Sequence, residues 1–156
     1  FWNSIWPEFN NLFHGTFSSV LQRLGWDPKA DDTEKDALLR DLAIRYMGFA
    51  EDKDAERKAL EKLEKYVVGR KLHPNIRSAI FSVAAGCDSG VYDKLLGIYE
   101  RSNSPEEKRQ VLSALGHFRD TTILGNALNF SISKKVRKQD IYVTFMSAAS
   151  NPAARK

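Results

Sequence analysis

The stretch Ser104–Gly116, "SPEEKRQVLSALG", decides the fold class of this chain. Ser104 is a residue type that caps helices, Pro105 fits the first helical position, and Glu107 stands at the third, where an acid is favoured. The apolar residues that follow recur at steps of three and four, which is the period of one face of an α-helix. The stretch therefore predicts a short amphipathic helix with a defined start and a glycine at its end.

The same pattern recurs along the chain when Arg40, Arg77, Arg109 and Gln139 are aligned. Apolar residues stand three and six positions past these anchors, at Ala43, Ile80, Leu112 and Tyr142 and at Tyr46, Val83, Leu115 and Phe145. Each such helix ends on a polar turn residue, and these are Asp52, Asp88, Asp120 and Asn151. A second short helix follows each of the first three turns. Repeated helix pairs predict an all-α fold, an α-solenoid of antiparallel helix pairs of the HEAT or armadillo kind, with about eight helices. An irregular helical bundle is the alternative.

The chain begins with a longer amphipathic segment whose apolar stripe contains Trp2, Ile5, Trp6, Phe9, Leu12, Phe13, Phe17, Val20, Leu21 and Leu24. We expect a core-facing helix that starts near Ser4, tolerates Pro7 in its first turn and stops at Gly25. An interfacial membrane helix is disfavoured, because the polar face lacks the Lys and Arg enrichment that such helices need. No alternating run predicts a strand.

Composition bounds the possible functions. The 156 residues suffice for one domain, and the net charge is only +4, so a strongly basic nucleic-acid binder is not indicated. Cys87 is the only cysteine, which fits a reducing compartment and a cytoplasmic location. The chain starts at Phe1 without Met, and we expect a fragment of a longer protein.

No catalytic constellation is visible in the sequence. His14, His73 and His117 are scattered, so the i, i+4 histidine pair of a zinc site is absent. His73 is interpreted as structural, His117 as a residue at a helix end where a cation is favoured, and Cys87 as a buried, inert thiol. The sequence therefore predicts no catalytic residue and no metal ligand in this chain.

The basic run "SKKVRKQD", Ser133–Asp140, is open to three interpretations: a nucleic-acid patch, a membrane patch or a connection between helices. Its neighbours place it between the second helix of one pair and the first helix of the next. The interpretation as an inter-repeat turn is therefore favoured over binding of nucleic acid or membrane.

Three segments resemble one known family: Arg23–Ala43 "RLGWDPKADDTEKDALLRDLA", Ala127–Asp140 "ALNFSISKKVRKQD" and Ser147–Lys156 "SAASNPAARK". Their order and spacing are similar to the C-terminal helical domain of M1 zinc aminopeptidases, and most similar to the puromycin-sensitive branch. The resemblance covers nearly the whole chain. It implies that residues 1–156 are a truncated part of that domain, without its first helices and its Trp-containing final helices.

The resemblance implies that the chemistry lies elsewhere in the parent chain. The family's His-Glu-x-x-His zinc motif and Gly-Ala-Met-Glu-Asn loop are absent here, so we expect an inactive fragment and zinc only in the parent metallo-aminopeptidase. In this family the helical domain covers the active site and shapes the peptide cavity, so the expected partners are the catalytic domain and a peptide. By residue type alone, Arg137, Gln139, Tyr99 and Tyr92 are candidates for peptide contact.

Two other functions remain open at this stage. One is a stand-alone HEAT-like scaffold for protein interaction, and the other is nucleic-acid binding through the basic run. Since a solenoid needs capped ends, we also expect self-association of the truncated chain.

Overall fold

The fold consists of short helices joined by tight turns. The computed structural model describes the backbone of residues 2–155 and the side chains of residues 7, 8 and 10–154. This part holds eight α-helices and no strand, as the sequence predicts. The helices are α1 Trp2–Leu24, α2 Glu34–Phe49, α3 Lys53–Val67, α4 Pro74–Cys87, α5 Tyr92–Arg101, α6 Pro105–Leu115, α7 Thr121–Ser131 and α8 Ile141–Ala149. Three 3₁₀ turns precede or follow them: η1 Ser89–Val91, η2 Lys138–Asp140 and η3 Pro152–Arg155.

Local capping explains where these helices begin. The Thr33 hydroxyl accepts a hydrogen bond from the Asp36 backbone N–H, and the Asp36 carboxylate accepts one from the Thr33 N–H, which completes a capping box. At the start of α6, the Ser104 hydroxyl accepts from the Glu107 N–H at 3.3 Å. The start of α6 therefore agrees with the cap that the sequence predicts at Ser104.

The polar turn residues of the repeat share one structural role. Asp52 accepts a hydrogen bond from the Ala55 N–H, and Asp88, Asp120 and Asn151 each accept one from an N–H group two or three residues ahead. Each side chain thus caps the turn or helix that comes next. The periodic recurrence of these four residues marks the sharp reversal inside each helix pair.

The helices form a two-layer stack. In the first layer α2, α4, α6 and α8 pack successively against one another, and in the second layer α1, α3, α5 and α7 each pack on the first-layer helix that follows. Successive second-layer helices are joined mainly by long side chains: Lys94 pairs with Glu64, and Arg101 donates hydrogen bonds to the carbonyls of Tyr66 and Val67. This arrangement confirms a helical solenoid-like domain.

The core lies between the two layers. Its fully buried side chains include Ile44, Leu63, Ile76, Ile80, Phe81, Leu95, Leu112, Leu115 and Phe118. At the crossing of α6 and α8, a Cβ added to Gly116 would lie 2.6 Å from the carbonyl oxygen of Thr144 and 2.6 Å from the Cβ of Ser147. Glycine at this position therefore lets the two first-layer helices approach closely.

The first helix differs from the expectation in its start. It begins at Trp2 rather than near Ser4, so Pro7 lies inside the helix, past its first turn. The expected stripe at Trp2, Ile5, Trp6 and Phe9 lies outside the described side chains. Further along α1, Phe13 and Phe17 each stack on Tyr46 of α2 with ring centroids 4.8 Å apart, so this part of the stripe faces the core.

The fourth unit differs from the others at its start. Gln139 lies in η2 rather than inside a helix, and α8 begins two residues later, at Ile141. Tyr142 is 54% exposed and Phe145 is 43% exposed, although their aligned counterparts in α4 and α6 are buried. Among the described residues, α8 is the last first-layer helix, so no further first-layer helix covers these two side chains.

Candidate functional site

An open groove of about 480 Å³ lies on the outward face of the first layer. It runs across α4, α6 and the start of α8. Its walls are formed by Ser78, Pro105, Glu106, Arg109, Gln110, Ser113, Arg137, Gln139 and Val143. The lining therefore combines two guanidinium groups with amide, hydroxyl, carboxylate and apolar groups.

One buried carboxylate holds the two arginines of the groove. Asp140 is only 2% exposed, and its Oδ2 lies 2.6 Å from both Nε and Nη2 of Arg137. Its Oδ1 lies 3.7 Å from Nε of Arg109. Two cations thus share one buried anion while their side chains remain about half exposed, and the exposed carboxylate of Glu106 lines the same groove. Paired guanidinium groups of this kind suit a carboxylate or phosphate ligand.

Neighbouring polar groups fix the shape of the groove. Arg109 also donates a hydrogen bond of 3.0 Å from Nη2 to the Tyr142 hydroxyl. The Gln110 amide donates to Glu106 at 3.3 Å, while its Oε1 is buried without a hydrogen-bond partner in the described part of the chain.

The structure brings two of the four predicted contact residues together. Arg137 and Gln139 both line the groove, whereas Tyr92 and Tyr99 do not. Tyr99 is 3% exposed, meets the Phe130 ring edge-on at 5.3 Å, and donates a hydrogen bond to the Lys135 carbonyl at 3.3 Å.

Tyr92 packs against Phe118 at 5.7 Å between ring centroids. Burial raises the pKa of both tyrosine hydroxyls. These two rings are packing residues of the second layer.

Sequence reasoning missed Arg109 and Asp140 as members of the groove. Arg109 served only as a repeat anchor, and its contact with Asp140 spans two helix pairs. A signal for Asp140 does exist, since it follows Arg137 at a spacing of three residues, the spacing of an ion pair on one helical face.

Two titratable groups that the sequence singled out are not charged at neutral pH. Burial, with a smaller contribution from the Arg45 cation, lowers the pKa of His117 to about 4. The expectation that His117 is a cation at a helix end is therefore wrong, because the loop buries the imidazole. Burial raises the pKa of the Cys87 thiol to about 11, which agrees with an inert thiol.

A smaller cleft of about 290 Å³ lies between α1 and α3. Its acids already have partners: Asp52 caps Ala55 and lies 2.9 Å from Nε2 of His14, and Asp54 pairs with Lys58 at 2.6 Å. This cleft therefore offers no unused carboxylate for a cationic ligand.

The described residues contain no group of three or more His, Cys, Asp or Glu side chains that could hold a metal ion. None of the described helices is long and apolar enough to cross a membrane.

Comparison with known proteins places the chain in context. A family model described as the ERAP1-like C-terminal domain matches residues 1–156. Aminopeptidase M1 of Arabidopsis thaliana is 30% identical over 137 residues, which cover 83% of this chain and 16% of that protein. Aminopeptidase 2 of Candida albicans is 34% identical over 130 residues, which cover 81% of this chain and 14% of that protein. Aminopeptidase M1-D of Oryza sativa subsp. japonica is 32% identical over 148 residues, which cover 90% of this chain and 17% of that protein. The chain thus spans a small part of the length of these relatives.

Proposed function

The chain belongs to the ERAP1-like C-terminal domain family and is a C-terminal domain of the M1 aminopeptidase type, and from this premise we propose that it forms a non-catalytic wall of a peptide cavity. The parent would be a zinc-dependent enzyme that removes N-terminal residues from peptides. The described residues of this chain do not fit a zinc ion, because they contain no suitable cluster of ligands. The zinc would therefore be held by another part of the parent.

The observation that carries the proposal is the groove in which Asp140 fixes Arg109 and Arg137. A peptide chain offers carbonyls, N–H groups and a terminal carboxylate. The two guanidinium groups would bind the carboxylate, and the Gln139 amide would bind the peptide backbone. Because Asp140 orients both arginines beforehand, little side-chain entropy is lost on binding.

The spacing of the two layers also supports a role as a cavity wall. First-layer helices pack directly on each other, whereas second-layer helices are more widely spaced and meet mainly through long side chains. A stack with one tight and one loose layer curves toward the tight layer. The groove would then lie on the concave side, where the domain would cover the active site of the catalytic domain.

The test uses the full-length parent enzyme with Arg137→Ala. We expect KM for longer peptides with a free C-terminal carboxylate to rise about tenfold, about 1.4 kcal/mol, with kcat little changed. The same peptides with an amidated C-terminus should show a smaller rise in KM. They have no terminal carboxylate, so neither the wild type nor the variant can form the charge pair with residue 137. Lys134→Ala is the matched control, since this exposed cation lies outside the groove.

Two outcomes would count against the proposal. An equal loss for free and amidated peptides would point to an indirect effect on folding. An unchanged KM for every peptide would show that the groove does not bind the substrate.

A stand-alone scaffold for protein interaction is the second candidate, because repeat stacks present extended binding faces. The coding sequence of the parent discriminates the two: a zinc-binding His-Glu-x-x-His motif upstream of residue 1 favours the enzyme. A cytoplasmic location of the parent and the limits of the domain stay predictions, as do the HEAT-like character of the repeat and the puromycin-sensitive branch.

A further inference from the structure

Two contacts join the first helix pair, α2 and α3, directly to the third pair, α6 and α7. In a repeat stack each unit ordinarily contacts only its neighbours. Here the Tyr66 hydroxyl of α3 donates a hydrogen bond to Glu107 of α6, 41 residues along the chain. Arg119, in the turn between α6 and α7, reaches back 71 residues to the last turn of α2. The second pair, α4 and α5, is therefore spanned by one contact at each edge of the stack.

The contact at Tyr66 is enclosed and makes several bonds. Glu107 is buried, and Nη1 of Arg77 lies 3.5 Å from the oxygen that accepts the Tyr66 hydroxyl. The Tyr66 ring also carries two guanidinium groups, with the Cζ atoms of Arg77 and Arg101 at 5.5 and 5.7 Å from its centroid. These four residues form the Tyr66 cluster. Because it joins all the helices from α3 to α6, it holds this edge of the stack firmly.

The contact at Arg119 is looser and more exposed. Its Nη1 lies 3.3 Å from Oε1 of Glu51 and 3.8 Å from Oε1 of Glu56, and its Nη2 donates to the Gly48 carbonyl at 3.5 Å. All three distances exceed those of a strong hydrogen bond. The side chains of Arg119 and Glu51 are 40% and 52% exposed, so salt screens their attraction. This edge is therefore held much less firmly than the edge at Tyr66.

Glu56 lowers the cost of breaking the contact at Arg119. Its Oε2 pairs with Lys53 at 2.8 Å, whereas its buried Oε1 has no hydrogen-bond partner among the described residues. A buried oxygen without a partner is destabilising, and water reaches this oxygen when the contact opens. The hydration that Oε1 gains therefore offsets part of the attraction that Arg119 loses.

From this difference between the two edges we infer that Arg119 is a latch and that the Tyr66 cluster is a hinge, about which the third helix pair swings away from the first. Because α4 packs on both α2 and α6, the motion is a small slide of α6 along α4. With the latch closed, the first and third pairs are held together at the Arg119 edge, and with the latch open this edge lengthens. The latch thus sets the curvature of the stack.

Cys87 reports the state of the latch. It is the last residue of α4, at the Arg119 edge. Burial is the main cause that raises the pKa of its thiol to about 11, the charge of Glu56 adds to the rise, and the charge of Arg119 opposes it. The thiol therefore lies close to both sides of the latch. Opening admits solvent and reagent to it, so its alkylation rate measures the open state.

Alkylation of Cys87 in the full-length parent, followed by mass mapping of its peptide, tests the inference. We expect Arg119→Ala to raise the rate severalfold. Loss of the cation without opening would raise the pKa of the thiol and slow alkylation, so a faster rate distinguishes opening from a change in local charge. High salt should also raise the rate in the wild type, relative to a small thiol in the same solution, and should add little in Arg119→Ala.

Two further variants serve as controls. Arg57 is an exposed cation of α3 whose partners Asp54 and Glu61 lie on the same helix, so Arg57→Ala should leave the alkylation rate unchanged. Tyr66→Phe removes the hydrogen bond of the hinge but keeps the ring, and the alkylation rate should still respond to salt in this variant.

Hydrogen exchange in the same proteins separates opening of the latch from unfolding. Arg119→Ala should speed exchange in residues 50–52 and 116–120, the two turns that the latch joins, and leave the first half of α4 unchanged.

Three results would overturn the inference. The first is a Cys87 alkylation rate in Arg119→Ala that equals or falls below that of the wild type. The second is a wild-type rate that does not respond to salt. The third is exchange that rises equally throughout α2, α4 and α6, which would make Arg119 a general contributor to stability rather than a latch.

Discussion

At the scale of single residues, the candidate site shows which contacts a sequence can predict. Arg137 could be placed near a helix start because the basic run stands between two periodic segments. Tyr99 was proposed by residue type alone, yet it lies one residue after Ile98 and four after Leu95, on the buried face of α5. The position of a residue on its helix face was therefore more informative than its chemistry.

The pairing of Arg109 with Asp140 could not be predicted from the sequence. It depends on the crossing of α6 with the turn before α8, and no local pattern encodes this crossing. Contacts between successive helix pairs are set by packing rather than by periodicity.

His117 carries the prediction at the residue scale. Its pKa is about 4 in the folded chain, and the ordinary value of 6.5 applies to the unfolded chain. Between these values the unfolded state takes up a proton that the folded state does not, so stability is full above pH 6.5 and falls as the pH decreases. From pH 7 to pH 5 we expect a loss of about 2 kcal/mol in the free energy of unfolding.

Urea denaturation of the wild type and of His117→Gln at the two pH values measures this loss. The variant should show a much smaller pH dependence over this range. Asp32 does not interfere, because the hydrogen bond and charge of Arg40 lower its pKa to about 2. His73→Asn, which retains an acceptor at the start of α4, is the control and should behave like the wild type. An unchanged profile in His117→Gln would show that another group causes the pH dependence.

At the scale of elements, the capped start of α6 was predictable, whereas the start of α1 was not. Thr33 and Ser104 act within one turn of chain, so their effect is visible in a short window of sequence. In the fourth unit the anchor Gln139 lies in η2, so α8 begins only two residues after it. A periodic pattern cannot distinguish a 3₁₀ turn from the first turn of an α-helix over so few residues.

The prediction at this scale concerns the crossing of α6 and α8. Gly116→Ala places a methyl group within 2.6 Å of backbone and side-chain atoms of α8, so the helices must move apart. We expect a loss of about 1–3 kcal/mol in the free energy of unfolding.

Gly125→Ala is the matched control for the crossing. Gly125 lies inside α7, and a Cβ there meets nothing within 4 Å. The higher helix propensity of alanine should stabilise this variant by about 0.5–1 kcal/mol. Thermal unfolding of both variants gives the comparison, and equal shifts of the same sign would contradict the close approach at Gly116.

At the scale of the whole molecule, the stack predicts uneven stability along the chain. Among the described residues, the first-layer helices α4 and α6 each have first-layer neighbours on both sides, whereas α8 has one, α6, and exposes Tyr142, Phe145 and Met146. In a stack where each unit contacts only its neighbours, an end helix opens without the rest. Amide hydrogen exchange at low protein concentration should therefore be on the order of tenfold or more faster in α8 than in α4.

The comparison of α8 with α4 separates fraying of the end helix from unfolding of the whole stack. Equal protection of α4 and α8 in dilute solution would contradict independent opening of the end helix and would show that the stack unfolds as a single unit.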